Sequence, residues 1–253
     1  FRTMATSIKT ASGDRKIPIV ATTGTASWVD ENAAIPESGT TFEQKTLSAY
    51  KLATMVKISE ELLADSAFNL EDYMAREFAR RFAVAEEAAF CTGNGTGKPT
   101  GVFDSTKGAS AGITAAKTDT FTADELIDLF YSLRASYRSK AMWFMNDTTV
   151  KIVRKLKDSN GQYIWQPALT AGVPDMILGR PYKTSVAAPE ATTGNTAVLF
   201  GDFKYYWIAD RKSRTIRRLN ELYAVNGQVA FLGTERLDGC LILPEAIKSL
   251  KMA

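Results

Sequence analysis

The chain has 253 residues, of which 45% are hydrophobic and 23% charged, with a formal net charge of +3 at pH 7. This is the composition of a globular protein with one large core or two smaller ones. No apolar run approaches the roughly 20 residues of a membrane span. The absence of histidine excludes Ser-His-Asp and Cys-His catalysis and imidazole metal sites, leaving only carboxylate or lysine chemistry to an enzyme. We expect Cys91 and Cys240 to be small core residues, with no catalytic site, cofactor or metal.

Residues 14–50 predict two extended segments joined by a turn-rich tip. The first contains Lys16–Val20, and the second runs over Phe42–Tyr50. Their spacing around a Pro- and Gly-containing stretch is typical of a long hairpin. Its apolar content is too thin for stability alone in water. We therefore expect the hairpin to lie on its own domain or on a neighbouring molecule.

Two helices are predicted next. Ser59 caps a short helix over Glu60–Ala64, and Asn69 begins a long one that stops at Gly93, after roughly 22 residues. Its apolar residues recur at three- and four-residue spacing, which predicts one buried stripe. A helix of this length can span a whole domain.

The remaining sequence predicts an α/β-like region followed by several strands. The Thr122 capping box opens a helix to about Arg138, and a further helix, capped by Asn146 or Asp147, runs to about Lys157. The predicted strands are Ala141–Met145, Met176–Tyr182, Val198–Asp202, Tyr205–Asp210, Arg214–Leu219, Gln228–Leu237 and Leu241–Leu243.

The glycine-rich segment Gly93–Gly101 has the composition of a phosphate-binding loop but not its pattern. Its glycines are spaced wrongly before Lys98, and Pro99 stands where a hydroxyl residue should bind magnesium. It also follows a helix, whereas a phosphate loop connects a strand to a helix. A glycine-rich exit turn from the long helix is therefore favoured.

Charge is segregated along the chain. Between Trp28 and Lys45 the net charge is −3, from Asp30, Glu31, Glu37 and Glu43 against Lys45. Between Lys204 and Arg218 it is +5, from Lys204, Arg211, Lys212, Arg214, Arg217 and Arg218 against Asp210. We interpret the basic strand first as a solvent-exposed edge strand. The second interpretation is a contact for the acidic hairpin of another copy, and the third is a site for a nucleic-acid backbone.

The chain resembles the major capsid proteins of tailed phages with the Hong Kong 97-type fold. The most specific stretch is the long helix leading into Ala89–Val102, with its Gly-Asn-Gly-Thr-Gly and Pro-Thr-Gly-Val sequences. Further similar segments are Ala26–Glu31 with Ile35–Ser38, Leu47–Ser59, Asp158–Trp165, Leu178–Tyr182 and Glu235–Gly239.

The resemblance implies an α+β fold with a long spine helix, an elongated antiparallel sheet, an axial α/β-like domain and an extended hairpin loop. The implied divisions are an extended loop over 14–50, a peripheral domain over 51–98 and 204–237, an axial domain over 99–203, and a return strand over 238–253.

The implied function is structural: a non-enzymatic shell protein, forming hexamers and pentamers of an icosahedral head around double-stranded DNA. It would be part of the virion and assemble in the bacterial host cytoplasm. Its partners would be other copies, with phage protease, portal, decoration proteins and non-specifically bound DNA, but no membrane or small-molecule substrate. The alternatives are an encapsulin-type nanocompartment shell, a soluble enzyme or a DNA-binding module. The expected inter-subunit contacts are Trp28, Asp30, Glu31, Glu37, Glu43, Arg211, Lys212, Arg214, Arg217 and Arg218.

Some members of this family crosslink their subunits through a loop lysine, an asparagine and a glutamate. The corresponding positions here are Ile35, Gly227 and Thr234, with Asn226 and Glu235 one residue away. Since the loop lacks the lysine, we expect no isopeptide bond, and a shell held by non-covalent contacts or a decoration protein. A start at Phe1 is compatible with removal of a scaffolding segment or with truncation.

Overall fold

A computed structural model of the chain describes residues 1–11, 13–22, 27–29, 37–39, 41–65, 70–157, 160–165 and 175–253. The helices are α1 Glu60–Asp65, α2 Leu70–Thr92, α3 Ala123–Ser132, α4 Ala135–Arg138 and α5 Asp147–Arg154. The strands are β1 Thr6–Thr10, β2 Arg15–Thr22, β3 Thr41–Leu47, β4 Tyr50–Ser59, β5 Ser110–Thr114, β6 Met142–Met145, β7 Met176–Ile177, β8 Arg180–Thr184, β9 Thr196–Gly201, β10 Tyr206–Arg211, β11 Thr215–Leu219, β12 Gln228–Leu241 and β13 Ile247–Lys251.

A six-stranded sheet, in the order β5-β13-β9-β6-β8-β7, forms one part of the molecule. Its central strands are continuous apolar runs, as expected for strands buried on both faces. Trp143 and Phe200 lie in a cluster that includes residues of α3 and α5. Phe144 and Leu199 point to the other face and lie in a second cluster with the end of α2. Both faces of this sheet are therefore covered within the chain.

A five-stranded sheet is built around β12. This strand pairs with β4 along one edge, and with β11 and then β10 along the other, while β1 adds to β10 in parallel. The long helix α2 lies on one face, where Phe78 and Phe82 are buried with Val229 and Phe231. Gly233 allows this approach, because a Cβ atom there would lie 3.0 Å from Phe82 Cζ. The apolar stripe predicted for the long helix is thus the surface that covers this sheet.

The chain folds back tightly where α2 ends. A Cβ atom on Gly93 would lie 2.1 Å from the Pro99 carbonyl oxygen, so only glycine fits there. Val102 N donates to Phe90 O over 2.8 Å, which satisfies a carbonyl at the helix end. The structure confirms the exit turn predicted for this segment.

The helix predicted from Thr122 to Arg138 is interrupted. The capping box is present, but α3 ends at Ser132 and α4 forms a separate turn. Leu133 between them is extended, with ψ of 133°. The Arg138 guanidinium donates to Leu133 O over 2.7 Å and to Tyr131 O over 3.2 Å. These hydrogen bonds satisfy carbonyls that the break leaves free, so a side chain that follows the break closely in the sequence stabilises the interruption.

Two of the predicted strands also differ. Met176–Tyr182 is not one strand, because Leu178 and Gly179 both have positive φ, 49° and 69°, and form the turn between β7 and β8. The strand that closes the chain is not Leu241–Leu243, since β12 continues to Leu241 and β13 follows it. The short strands β1 and β5 were not predicted, because their Ser- and Thr-containing sequences have little apolar alternation.

Candidate assembly surfaces

The strands β2 and β3 form a two-stranded antiparallel ribbon. We call this ribbon, with the segment between its strands, the arm. Its base is anchored to its own chain, because Ile17 and Leu47 are buried with Ala209 and Ile242. The two predicted extended segments therefore pair as expected, and the base of the arm packs on the five-stranded sheet.

Beyond its base, the residues of the arm that the structure describes are mostly exposed. The Trp28 side chain is fully exposed, and Phe42 is 68% exposed. Glu37 and Glu43 are exposed as well. Phe42 is a candidate contact that the sequence analysis did not single out, although a large aromatic residue in a polar strand was a usable signal. Asp30 and Glu31 lie outside the described residues.

The face of the five-stranded sheet opposite α2 is solvent-exposed where β4, β12 and β11 lie side by side. In the register of these strands Met55 and Arg217 flank Leu232, and Lys51 lies opposite Arg236. We call this surface the open face; its residues are Lys51, Met55, Lys57, Arg217, Leu232, Thr234 and Arg236. Met55 is 43% exposed, and the four cations are exposed too. The open face is therefore a basic sheet surface with an apolar centre.

The predicted basic residues do not lie on a single strand. β10 ends at Arg211, Lys212 adopts a positive φ of 61° in the turn that follows, and Arg217 and Arg218 occupy opposite faces of β11. Only Arg217 of that pair belongs to the open face. Lys51, Lys57 and Arg236 complete its positive charge. Sequence reasoning missed Lys51 and Lys57 because β4 is distant from β11 along the chain. It missed Arg236 because only the pairing of β12 with β4 and β11 sets the face on which this residue lies.

Three of the predicted basic residues form side-chain contacts within their own chain, and one of these is Arg218, whose Nε donates to Asn220 Oδ1 over 2.8 Å. Arg211 donates to the Gly13 carbonyl oxygen and lies 3.3 Å from a carboxylate oxygen of Asp14. Arg214 forms ion pairs with the buried carboxyl groups of Glu86 and Glu235. Arg211 therefore holds the base of the arm, and Arg214 ties the turn after β10 to α2 and β12.

The two buried carboxyl groups differ in protonation. Burial alone would raise the pKa of Glu86, but hydrogen bonding by Arg2 and the charges of Arg2 and Arg214 hold it below its usual value. Burial and the adjacent Glu86 raise the pKa of Glu235 to about 7, against the effect of Arg214. Near neutral pH, Glu86 is ionised while Glu235 is partly protonated.

Two of the three positions that correspond to the crosslinking residues of some family members are described, Gly227 and Thr234. Gly227 is left-handed, with φ of 60°, in the turn before β12. The hydroxyl of Thr234 lies 2.8 Å from that of Thr215. Ile35 lies outside the described residues. The expected lack of an isopeptide bond stays a prediction.

Neither cysteine is activated. Both are free, and burial raises the pKa of Cys91 to about 12 and that of Cys240 to about 11. Within the described ranges, no group of three or more Asp, Glu or Cys residues is placed to hold a metal ion. No helix found there is long and apolar enough to cross a membrane.

Known proteins match this chain in sequence. The model of the Phage capsid family matches residues 1–252. The major capsid protein of Klebsiella oxytoca phage phiKO2 is 27% identical over 212 residues, 79% of this chain and 48% of that protein. The major capsid protein of Escherichia phage T5 is 34% identical over 103 residues, 38% of this chain and 22% of that protein. The chain thus spans at most about half the length of these curated relatives.

Solved structures match its fold. The capsid of a native GTA particle, computed with C5 symmetry, has a TM-score of 0.91 and 33% identity, covering 100% of this chain and 89% of that chain. A structure from Microbacterium phage Oxtober96 has a TM-score of 0.75 at 20% identity, covering 100% and 90%. The second likeness shows the fold alone. Together, the α+β architecture and the family match over residues 1–252 show that this chain belongs to the phage capsid family.

Proposed function

We propose that this chain is the shell-forming subunit of a phage-type head, assembling as hexamers and pentamers of an icosahedral shell around double-stranded DNA. The observation that carries the proposal is that one chain presents both an arm with exposed aromatic residues, Trp28 and Phe42, and a sheet with an uncovered face. The likeness to the capsid of a GTA particle supports it, since that capsid is 33% identical over all of this chain.

The arm has the physical character of a segment that is buried only on assembly. A two-stranded ribbon is at best marginally stable in water without a surface to pack against. Among the described residues of the arm, those buried against the body of the chain are Ile17 and Leu47 at its base. Trp28 and Phe42 are exposed. Because aromatic residues are enriched at the centres of protein interfaces, their exposure indicates a contact surface. A neighbouring subunit would supply the surface that they lack.

The open face has the character of the receiving surface. Met55 and Leu232 give it an apolar centre, and Lys51, Arg217 and Arg236 give it positive charge. The exposed carboxylates Glu37 and Glu43 of the arm have the opposite charge. Such complementarity guides association and fixes the register of docking. In the assembled shell we therefore place the arm of one subunit on the open face of its neighbour.

The proposal also assigns a domain of the capsid subunit to each of the two sheets. The five-stranded sheet with α2 would be the peripheral domain, and the six-stranded sheet the axial domain. The shell would be part of the virion and assemble in the cytoplasm of the bacterial host. A phage protease, a portal, decoration proteins and the packaged DNA would be its further partners, with non-covalent contacts between subunits.

The other candidate functions have less support. The curated relatives are named as major capsid proteins, which favours a phage-type head over a nanocompartment. A DNA-binding module would use the predicted basic strand, but two of its arginines, Arg211 and Arg214, pair with carboxylates of their own chain. An enzyme would need an activated group, and burial raises the pKa of both cysteine thiols.

Negative-stain electron microscopy of concentrated protein tests the proposal. The wild-type chain should form rings or shells. In a matched variant an Asn-Gly dipeptide replaces residues 23–40, closing the hairpin where Thr22 already pairs with Thr41. It retains the buried base at Ile17 and Leu47 but lacks most of the exposed arm, so it should remain a folded monomer.

Circular dichroism and the thermal unfolding midpoint serve as the control, and both should match wild type. A wild-type chain that stays monomeric under every assembly condition would overturn the proposed function. Shells formed by the shortened variant would instead show that the arm is not an assembly contact.

A further inference from the structure

The five-stranded sheet contains a gap beside β12. β11 pairs with this strand as far as Thr234, and β10 pairs with it from Leu237 onward. On that edge Glu235 and Arg236 instead lie beside the turn between β10 and β11, where Lys212 adopts its positive φ. A cavity of about 330 Å³ opens at this gap. We call this cavity the notch.

The notch is strongly basic. Its walls include Lys51, Lys212, Arg217 and Arg236, together with Arg211 and Glu235. In the part of the chain that the structure describes, the side chains of the first four have no hydrogen-bonding or ion-pairing partner. Cations converging on one cavity create a positive potential that favours an anion.

Two buried polar atoms in the notch walls also lack partners. Arg211 Nε and Glu235 Oε1 are buried, and neither has a hydrogen-bond partner among the described residues. The Glu235 side chain is only 5% exposed, and its other oxygen accepts from Arg214. Because buried polar atoms are almost always hydrogen-bonded, the Arg211 Nε donor indicates a missing acceptor such as a carboxylate oxygen.

We propose that the notch is an oxyanion socket that binds the carboxylate of Glu37 or Glu43 from the arm of a second copy of this chain. The inference rests on the proposed function and names the contact that fixes the arm. Both carboxylates are exposed, and in the described part of the arm neither pairs with another side chain. The notch opens at the open face, and Lys51, Arg217 and Arg236 belong to both surfaces. The arm can therefore cover the face and fill the notch together.

The test measures the subunit concentration at half-assembly, by sedimentation of intact full-length protein. The notch variant is Lys212→Gln combined with Arg236→Gln. The matched control, Lys140→Gln combined with Lys183→Gln, removes the same charge from exposed positions near or on the six-stranded sheet. The notch variant should need about tenfold more subunit than wild type, as expected on losing charged partners of a desolvated contact. The control variant should change the subunit concentration at half-assembly by less than about twofold.

A double-mutant cycle identifies the occupant. Glu37→Gln and Glu43→Gln are each combined with the notch variant. The carboxylate that binds the notch should weaken assembly alone but add little in the combination, because its contact is already lost. Additive effects for both would overturn the inference. The thermal unfolding midpoint of each subunit separates assembly defects from misfolding, and Arg236→Lys should restore assembly in part.

The outcomes separate this inference from the proposed function. If wild-type protein forms no shells, the proposed function fails. If wild type assembles and the notch variant matches its control, only the notch inference fails. Shells of the notch variant that form normally but retain less DNA would also overturn it, since the notch would then bind nucleic-acid phosphate.

Discussion

The two sheets of this molecule differ in how their faces are covered. In the six-stranded sheet, Phe200 and Leu199 are adjacent in β9 and point to opposite faces, yet both are fully buried. In the five-stranded sheet, β4 alternates, and Met55 on the open face is 43% exposed. One sheet completes its packing within the chain, whereas the other has apolar surface available for another subunit. Stability of the subunit and assembly of the shell should therefore respond to different residues.

The largest expected effect on subunit stability comes from Phe200→Ala. Phe200 is fully buried, with its ring centroid 4.3 Å from that of Trp143 and 5.1 Å from that of Phe130. Its removal should lower the free energy of unfolding by about 3–5 kcal/mol, measured by urea denaturation. Val225→Ala, at a fully exposed position, should change it by less than about 0.5 kcal/mol. A loss below about 1 kcal/mol for Phe200→Ala would contradict burial of this sheet on both faces.

The covered face of the five-stranded sheet should make subunit stability depend on pH. The pKa of Glu235 is raised from 4.5 to about 7 in the folded chain, so between these values the folded state holds a proton that the unfolded state has lost. Stability should therefore fall as the pH rises from about 5 to about 7, by on the order of 1–3 kcal/mol. Glu86, whose pKa is lowered, changes the free energy of unfolding only below about pH 4.5.

Thermal unfolding midpoints at pH 5.0 and 7.5 measure this effect. Glu235→Gln cannot titrate and should remove most of the difference between the two pH values. Exposed Glu221→Gln is the control and should retain the wild-type difference. Equal pH dependence in wild type and Glu235→Gln would show that Glu235 does not keep its proton.

A smaller effect is expected at the cap of a helix that covers the six-stranded sheet. Thr122 Oγ1 accepts a hydrogen bond from Glu125 N over 3.2 Å, and the Glu125 carboxylate accepts from Thr122 N over 2.6 Å. Thr122→Ala should lower the free energy of unfolding by about 1 kcal/mol. Thr193→Ala, in an exposed loop, is the matched control. Equal urea midpoints for the two variants would contradict the stabilising role of the cap.

The smallest effect on the subunit should come from the open face. Met55→Gln should change the free energy of unfolding by less than about 0.5 kcal/mol but weaken assembly, because the apolar centre of the receiving surface becomes polar. Val186→Gln, at a position 93% exposed, should be neutral in both measurements. Shells that form at wild-type subunit concentrations despite Met55→Gln would argue against docking on this face.

Local sequence patterns predicted much of the fold. The stripe of α2, the capping box of α3 and the exit turn at Gly93 depend on residues close together in the chain, and the structure confirms them. The break at Leu133 was not predicted, because the bonds that stabilise it join the Arg138 side chain to main-chain carbonyl groups and have no recognisable sequence pattern. The turn at Leu178 was also missed, because a non-glycine residue rarely adopts positive φ.

For the candidate surfaces too, some features were predictable from the sequence and others were not. Sequence alone determined that the chain has no histidine chemistry, that its first part forms a hairpin with little apolar content, and that cations cluster near residue 211. Only the tertiary structure decided which cations are free, since Arg214 is paired with Glu86 and Glu235 while Lys51 and Arg236 join the open face. The reason is that pairing between distant strands, which no local pattern encodes, sets both the neighbours of a charge and the face of a sheet that remains uncovered.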